Sequence, residues 1–180
     1  LEDCPVIAAV KGEEGLKACL ESDIGIVFVL FGDICTIPDI VRRLKEKGKT
    51  VIVHIDLISG LSAKEIAVDF IHRSTEADGI ISTKPALIRQ AKELGMCTVM
   101  RFFAIDSMAF DNIRRQSEAV RPDVIEVLPG LMPRVIRQIC EDSLIPVIAG
   151  GLITEREDIM AALNAGAISI STTNRKVWFM

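Results

Sequence analysis

Five ionisable side chains interrupt apolar stretches of this sequence. In "VIVHIDLISG", His54 and Asp56 follow three β-branched residues and lie two positions apart. Lys84 follows "GIIST", Arg101 lies in "VMRFF", and Glu126 lies in "VIEVLPG". Such groups act as general acids and bases, Schiff-base nucleophiles or binding groups for a polar ligand. Because isolated buried charge is unfavourable, we expect these side chains to pair with one another.

The elements that must position these residues follow a strand–helix rhythm repeated eight times. Apolar runs alternate with amphipathic stretches, and successive runs start roughly 18 to 28 residues apart, the length of a minimal βα unit. We predict strands over residues 5–10, 24–31, 50–58, 79–83, 97–105, 123–128, 146–149 and 167–171.

Helix boundaries carry their own signals. Ser62 with Glu65, and Thr154 with Glu157, predict capping boxes. Prolines in first turns and glycines after last turns mark further helix ends, at Pro38, Gly48, Pro85, Gly95 and Gly166.

Continuously apolar strands separated by capped helices predict a parallel sheet covered by helices. Eight units in succession predict one (β/α)₈ TIM-type barrel over residues 1–180, with short loops and an abbreviated last helix in "RKVWFM". A doubly wound open sheet is the alternative, although "VKGEEGLK" lacks the G-x-G-x-x-G spacing of that fold. The chain starts at Leu1 rather than Met, which leaves open whether a native N-terminal segment precedes it.

In a barrel, activity gathers at the carboxyl ends of the strands. Period-two alternation predicts that His54 and Asp56 share the inward face of their strand, where Lys84, Arg101 and Glu126 would join them. Two interpretations remain open for this cluster. It either closes the barrel as a self-paired layer of charges, or it forms the floor and wall of a pocket for a polar ligand.

His54 is expected to be mainly a supporting, hydrogen-bonded residue, with Asp56 binding a ligand hydroxyl. No second histidine is placed to join it, so a zinc site is not expected, and an Asp/Glu site for Mg²⁺ is only weakly indicated. We predict no cofactor and no metal.

A second site is indicated at the late glycines. In "PVIAGGLIT" and "AISISTTN", Gly150 and Gly151 follow the seventh strand, and Ser171, Thr172 and Thr173 end the eighth. Backbone N–H groups at these positions bind phosphate in many barrels, and glycine lets the backbone approach the anion closely. The alternative is that the two glycines only form a tight turn.

Composition excludes some classes of function. Aromatic residues make up 4%, without tyrosine, and the net charge is −4, so neither a base-stacking surface nor a strongly basic nucleic-acid binder is indicated. The five cysteines form no C-x-x-C pair and suit a reduced cytoplasm. We found no signal peptide or run of membrane-spanning length, so a cytoplasmic protein without membrane contact is expected.

The sequence resembles the glycerol uptake operon antiterminator regulatory proteins along nearly its whole length. The resemblance lies in "VIVHIDLISGLSAKEIAVDFI", "ADGIISTK", "RFFAIDSMA", "PDVIEVLPGLMPRVI" and "IPVIAGGLIT". It implies a barrel that is not primarily an enzyme, that senses glycerol 3-phosphate, and that acts on the leader mRNA of glycerol-utilisation genes so that polymerase passes a terminator. Asp56, Lys84, Arg101 and Glu126 would then bind the glycerol end.

The resemblance does not locate an RNA-binding surface. The strongest local candidate is "RRLKEKGK", which contains Arg42, Arg43, Lys45, Lys47 and Lys49. These residues also fit a solvated helix end whose cations face the helix carboxyl terminus. Arg134 and Arg137 could extend a patch, and a homo-oligomer could combine two patches.

Other functions for the same barrel mouth stay open. One is a phosphosugar or triose-phosphate enzyme, of the isomerase or aldolase type, in which Lys84 forms a Schiff base or Asp56 and Glu126 act as acid and base. Another is a barrel that binds a small anion but has lost its partner. No nucleophilic elbow, P-loop or H-E-x-x-H motif is present.

Overall fold

The structure, a computed structural model, describes residues 5–179 and contains eight parallel strands that close into a barrel in chain order. The strands are β1 (Val6–Val10), β2 (Ile26–Val29), β3 (Thr50–His54), β4 (Gly79–Ser82), β5 (Cys97–Phe103), β6 (Val124–Leu128), β7 (Val147–Gly150) and β8 (Ser169–Thr172). The helices between them are α1 (Glu13–Glu21), α2 (Ile37–Lys45), α3 (Ile66–Ser74), α4 (Pro85–Glu93), α5 (Ser107–Val120), α6 (Pro133–Asp142) and α7 (Arg156–Asn164). The predicted (β/α)₈ barrel is confirmed, and the open sheet is excluded because β1 pairs with β8.

The eighth helix is reduced to a 3₁₀ turn at Val177–Phe179, as the short "RKVWFM" segment predicts. Trp178 is buried there, and its Nε1 donates a hydrogen bond to the backbone oxygen of Thr172 at 2.9 Å. This contact fastens the end of the described chain to the end of β8.

The two faces of each strand pack into different parts of the core. Alternate residues point into the barrel and form an apolar interior cluster of Ile7, Ala9, Phe28, Ile52, Ile81, Val99 and Ile148. The intervening residues, such as Val51 and Val53, pack against the helices in a larger cluster. The strands therefore read as continuously apolar because both of their faces are buried. Among residues 5–179, no helix combines the length and the apolar character that crossing a bilayer requires.

Strand β3 is shorter than the sequence predicts. It ends at His54, and Ile55–Leu57 form a 3₁₀ turn. His54 keeps the inward orientation of Ile52, but Asp56 lies beyond the strand, so the alternation argument for Asp56 is wrong. Asp56 instead lies at the rim of the barrel mouth, the end at which the carboxyl termini of the strands meet.

Both predicted capping boxes are wrong. Helix α3 begins only at Ile66, because the preceding loop first pairs with the loop after β2, where Ser59 donates to the Gly32 oxygen at 3.0 Å. Helix α7 begins one residue later than Thr154 predicts, and the carboxylate of Asp158 accepts from the Glu155 backbone N–H at 3.1 Å. A contact between loops thus precedes the start of α3, whereas α7 starts at a capping box formed by Glu155 and Asp158, one residue further along the chain than predicted.

Candidate functional site

Arg101, Glu126 and Ser171 form a buried polar network across three strands. The carboxylate of Glu126 accepts from Arg101 Nε at 2.6 Å and from Ser171 Oγ at 2.5 Å. Arg101 and Glu126 are direct partners in the register of β5 and β6. Glu126 has no exposed surface and Arg101 is 9% exposed, and such burial is tolerable because the charges are paired and hydrogen-bonded.

Gly150 provides the space for this network. A Cβ atom at Gly150 would lie 2.6 Å from Ser171 Oγ and 2.7 Å from Glu126 Oε1, closer than real Cβ contacts allow. The missing side chain at Gly150 therefore makes room for two protein groups. This is a structural requirement separate from the phosphate binding expected of this residue.

Asp56 holds the turn between β4 and α4. Its carboxylate accepts from Lys84 Nζ at 2.8 Å, the Thr83 backbone N–H at 2.8 Å, Thr83 Oγ1 at 3.1 Å and Ser82 Oγ at 3.0 Å. Burial raises the pKa of Asp56, but the hydrogen bonds from Lys84, Thr83 and Ser82 outweigh that effect and lower it below 3.8. Sequence reasoning missed Ser82 and Thr83 as partners, although "STKP" places both hydroxyls directly before Lys84.

His54 differs from its neighbours because one of its ring nitrogens is buried without a hydrogen-bond partner in the described chain. The residue is 3% exposed, and within residues 5–179 its buried Nδ1 has no hydrogen-bond partner. Burial lowers the pKa of His54 from 6.5 to about 4; the Arg101 cation adds to that decrease, and the Asp56 carboxylate opposes it. The ring is therefore neutral at physiological pH and lies within electrostatic range of both ion pairs.

The predicted charge cluster is thus resolved into two ion pairs. Lys84 pairs with Asp56 at the rim, and Arg101 pairs with Glu126 in the interior. Two cations and two anions leave the cluster electrically neutral when His54 is neutral. Within the described chain, the terminal nitrogens of Arg101 have no acceptor, since Glu126 contacts only Nε. These nitrogens are free to donate to a ligand.

The loops after β7 and β8 lie at the same end of the barrel. Gly151 has φ +77° and Leu152 has φ +62°, an uncommon backbone conformation for a leucine, and Leu152 is exposed. The Gly151 oxygen accepts from the Gly130 N–H at 3.1 Å, which ties this loop to the one after β6. The loop therefore has a constrained backbone at the position where barrels bind phosphate.

The predicted hydroxyl donors at the end of β8 differ in availability. Ser171 already donates to Glu126, and Thr172 Oγ1 donates to the Ile153 oxygen at 2.7 Å. Both are buried, whereas Thr173 is exposed. Thr173 also lines a cavity of about 330 Å³ at the mouth, together with Lys11, Arg175 and Trp178. Of the three hydroxyls, that of Thr173 is the one free for a ligand.

A larger cavity of about 510 Å³ lies between α5 and α6, in the helix layer of the barrel. Ile113, Ser117 and Ile139 lie along it. It is separate from the ion pairs and from the late glycines, so we place the candidate site at the barrel mouth, where those groups lie.

The basic segment "RRLKEKGK" is less available than its sequence suggests. Lys49 is 5% exposed, and its Nζ donates to the backbone oxygens of Ser22 and Ile24, so its assignment to an exposed basic surface is wrong. The physical reason is that the lysine satisfies two carbonyl groups at the end of the α1–β2 connection. The other cations, apart from Lys47, form ion pairs: Arg42 with Asp39 and Glu46, Arg43 with Glu13, and Lys45 with Asp78.

Metal ligands are not assembled in the part of the chain that the structure describes. No group of three or more histidine, cysteine, aspartate or glutamate side chains there could hold an ion. The two carboxylates of the mouth are engaged by cations and hydroxyls instead.

The fold and the polar mouth define the class of this protein as a TIM-type barrel with a charge-paired cluster at the end where such barrels bind ligands. Comparison with known proteins narrows the class. The chain belongs to the glycerol-3-phosphate responsive antiterminator family, whose model matches residues 6–178. The resemblance noted from sequence motifs is confirmed.

Relatives support the same assignment. An uncharacterised Escherichia coli K12 protein, YgcP, is 44% identical over 99% of this chain and 93% of its own. A glycerol uptake operon antiterminator regulatory protein from Listeria monocytogenes is 34% identical, with TM-score 0.94 over 97% of this chain and 94% of its own. A glycerol uptake operon antiterminator-related protein from Thermotoga maritima is 36% identical, with TM-score 0.87 over 98% and 99%. Barrel enzymes, among them an epimerase and an aldolase, match at 14% identity, which shows the fold alone.

Proposed function

We propose that this chain is a cytoplasmic regulator that binds glycerol 3-phosphate at the barrel mouth and, with ligand bound, acts as an antiterminator on the leader mRNA of glycerol-utilisation genes. One observation carries the proposal. The family match covers residues 6–178 and therefore includes every strand whose carboxyl end contributes to the mouth.

The two ends of the ligand suit different parts of the mouth. The uncharged glycerol end matches the neutral cluster, where Arg101 has free N–H donors and Lys84 is half-exposed. The phosphate dianion matches the backbone at Gly150 and Gly151 and the exposed Thr173. Lys11 and Arg175 line the adjacent cavity and favour an anion there.

The enzyme alternative is less well supported by this geometry. Asp56 accepts hydrogen bonds from three consecutive residues, and Glu126 is held between Arg101 and Ser171, so neither is a free acid or base. Lys84 is in an ion pair and partly exposed, unlike lysines that desolvation activates as nucleophiles.

RNA recognition would depend on the loops of the mouth. A ligand that contacts the loops after β3, β5 and β7 shifts their population only if it binds one loop arrangement more tightly than another. The surface presented to the leader mRNA would change with that population. The acidic overall charge makes a homo-oligomer that joins two basic patches a reasonable form for RNA binding.

Ligand binding is tested by thermal unfolding with glycerol 3-phosphate, using glycerol and inorganic phosphate as separate controls. Ligand at about 100 times its Kd should stabilise the protein by about 2.7 kcal/mol, a rise of roughly 5–10 °C in Tm. Lys84→Ala should abolish most of the shift, whereas Lys64→Ala, an exposed lysine in the loop after β3, should retain it. Absence of any shift at millimolar glycerol 3-phosphate would contradict the proposal.

The partner is tested by measuring affinity for the leader mRNA with and without glycerol 3-phosphate at two salt concentrations. Binding through phosphate contacts should weaken steeply as salt rises. The regulator function requires that the ligand change the affinity, and equal affinities in the two states would exclude it.

A further inference from the structure

We infer that His54 selects ligands with a hydroxyl group, by accepting a hydrogen bond from that hydroxyl at Nδ1 and rejecting carbonyl analogues of the same phosphate ester. The inference rests on the proposed function, since it concerns how the same site distinguishes an alcohol such as glycerol 3-phosphate from the corresponding aldehyde or ketone. It reverses the sequence-based assignment, in which Asp56 binds the hydroxyl and His54 is mainly support.

The inference starts from the unpaired nitrogen. Buried polar atoms in folded proteins nearly always have a hydrogen-bond partner, and each exception calls for an explanation. In the described part of the chain, His54 Nδ1 is buried and has none. The side chain lies at the last residue of β3, on the same inward face as Ile52, directly below the mouth.

Neighbouring acceptors are already occupied. Both oxygens of Glu126 are engaged, by Arg101 and by Ser171. The carboxylate of Asp56 is engaged by Lys84 and by the two residues before it. Each carboxylate oxygen thus already accepts at least one hydrogen bond, whereas His54 Nδ1 is the acceptor position in the cluster that has none among the described residues.

The surrounding charge determines which form of the ring is present. The cation that most strongly opposes protonation of His54 is Arg101, while Lys84 acts in the same direction and Asp56 in the opposite one. A neutral imidazole has one donor and one acceptor nitrogen, and a proton on Nδ1 would have no acceptor within hydrogen-bond distance in the described part of the chain. We therefore assign the lone pair to Nδ1.

A ligand hydroxyl complements this arrangement. It can donate to Nδ1 and accept from a terminal nitrogen of Arg101, which has no other acceptor among residues 5–179. A carbonyl oxygen can accept from Arg101 but has no proton for Nδ1. Its binding leaves the buried Nδ1 unpaired, which we expect to weaken affinity about 10- to 100-fold.

The test is calorimetric titration of three phosphates, glycerol 3-phosphate, dihydroxyacetone phosphate and glyceraldehyde 3-phosphate, into the wild type and three variants. The wild type should bind glycerol 3-phosphate at least about tenfold more tightly than one of the two carbonyl compounds. The carbon that carries the carbonyl group in that compound is then the one whose hydroxyl contacts His54 in glycerol 3-phosphate. His54→Leu should bind the alcohol and that carbonyl compound with similar affinity. His54→Asn, whose amide oxygen lies near the position of Nδ1, should restore part of the selectivity.

Controls separate a role in selectivity from a role in folding. Ile52→Val removes one methylene from the same face of β3 and should leave the selectivity of the wild type unchanged. His54→Leu should fold, since it replaces an unpaired buried polar group by an apolar one.

The outcomes distinguish this inference from the proposed function. Equal affinity of the wild type for all three phosphates overturns the inference alone, and so does selectivity that survives in His54→Leu, as expected if a permanent internal water satisfies Nδ1. Tighter binding of a carbonyl compound by the wild type shows that Nδ1 carries a proton and also overturns it. If none of the three phosphates binds, the proposed function fails as well.

Discussion

At the scale of single residues, the mouth of this barrel combines paired charges with a few unused groups. Each carboxylate is neutralised by a cation and by hydroxyls, whereas the terminal nitrogens of Arg101 and Nδ1 of His54 have no protein partner in the described chain. The paired groups make burial of the charges tolerable, and the unused groups are those that a ligand can contact.

The interior ion pair should be sensitive to the loss of one partner. Arg101→Gln leaves the carboxylate of Glu126 buried without its cation, which we expect to cost about 3–5 kcal/mol in the free energy of unfolding. Urea denaturation would measure this loss. Arg42→Gln removes an exposed arginine that is also ion-paired and should leave stability unchanged. If the two variants lose a similar free energy of unfolding, the interior ion pair contributes no more to stability than the exposed one.

His54 should impose a pH dependence on stability. Its pKa is about 4 in the folded protein and 6.5 when unfolded, so the unfolded state takes up the proton first. The contribution of His54 to the free energy of unfolding is therefore fully present above about pH 6.5. It is lost, by up to about 3 kcal/mol, as the pH decreases toward 4. Arg101, Lys84 and Asp56 are the charges that face the ring, and protonation of Asp56 adds a separate loss at lower pH.

Stability profiles of the wild type and His54→Leu between pH 8 and pH 4 would measure this contribution. The variant should lack the part of the decline that lies between pH 6.5 and pH 4. Parallel profiles would show that His54 is not held neutral by its surroundings.

At the scale of elements, close approach of neighbouring strands decides which residues fit. Gly150 in β7 lies beside Ser171 in β8, and the carboxylate of Glu126 from β6 reaches the same point. Similarly, Lys49, just before β3, extends to the connection between α1 and β2 and is buried there. Both residues serve contacts between elements that are distant in sequence.

Gly150→Ala should destabilise the barrel by about 1–3 kcal/mol, because the added Cβ overlaps Ser171 and Glu126 and breaks their hydrogen bond. Gly12→Ala is the matched control, since a Cβ at that position meets no atom within 4 Å and the backbone there is extended. Thermal or chemical unfolding of both variants provides the comparison. Equal effects would mean that Ser171 and Glu126 can move aside at little cost.

At the scale of the whole molecule, the candidate ligand site and the basic segment "RRLKEKGK" lie at opposite ends of the barrel. Helix α2 starts near the mouth and runs back about 13 Å over its nine residues, so Lys45 and Lys47 lie at the far end. A rearrangement of the mouth loops could affect these lysines only if the change were transmitted through the barrel itself.

The effect of charge reversal at this far end on RNA affinity should therefore not depend on whether the ligand is bound. If the segment contacts leader mRNA, Lys47→Glu should weaken RNA affinity by the same factor with and without glycerol 3-phosphate, and should reduce the salt slope by about one. Lys64→Glu, in a mouth loop, should change the affinity mainly in the presence of ligand. A ligand-dependent effect of Lys47→Glu would show that the two ends are coupled.

The fold was predictable from the chain because it depends on repeated local patterns. Apolar runs at regular spacing, prolines in first turns and glycines after last turns are properties of short segments, and they indicate the barrel directly. The inward orientation of His54, Arg101 and Glu126 also follows from period-two alternation once the strands are located. The family is recognisable from motifs along most of the chain.

The roles of individual polar groups depended on contacts between segments far apart in sequence. Asp56 lies outside β3 because the chain turns immediately after His54, and only the fold brings Ser82, Thr83 and Lys84 onto its carboxylate. Lys49 appears basic and exposed in sequence, yet two carbonyl groups of another connection bury it. Sequence determined the barrel and the end at which polar groups gather. Tertiary structure decided which of those groups are already satisfied, because a hydrogen bond depends on distances that no linear spacing specifies.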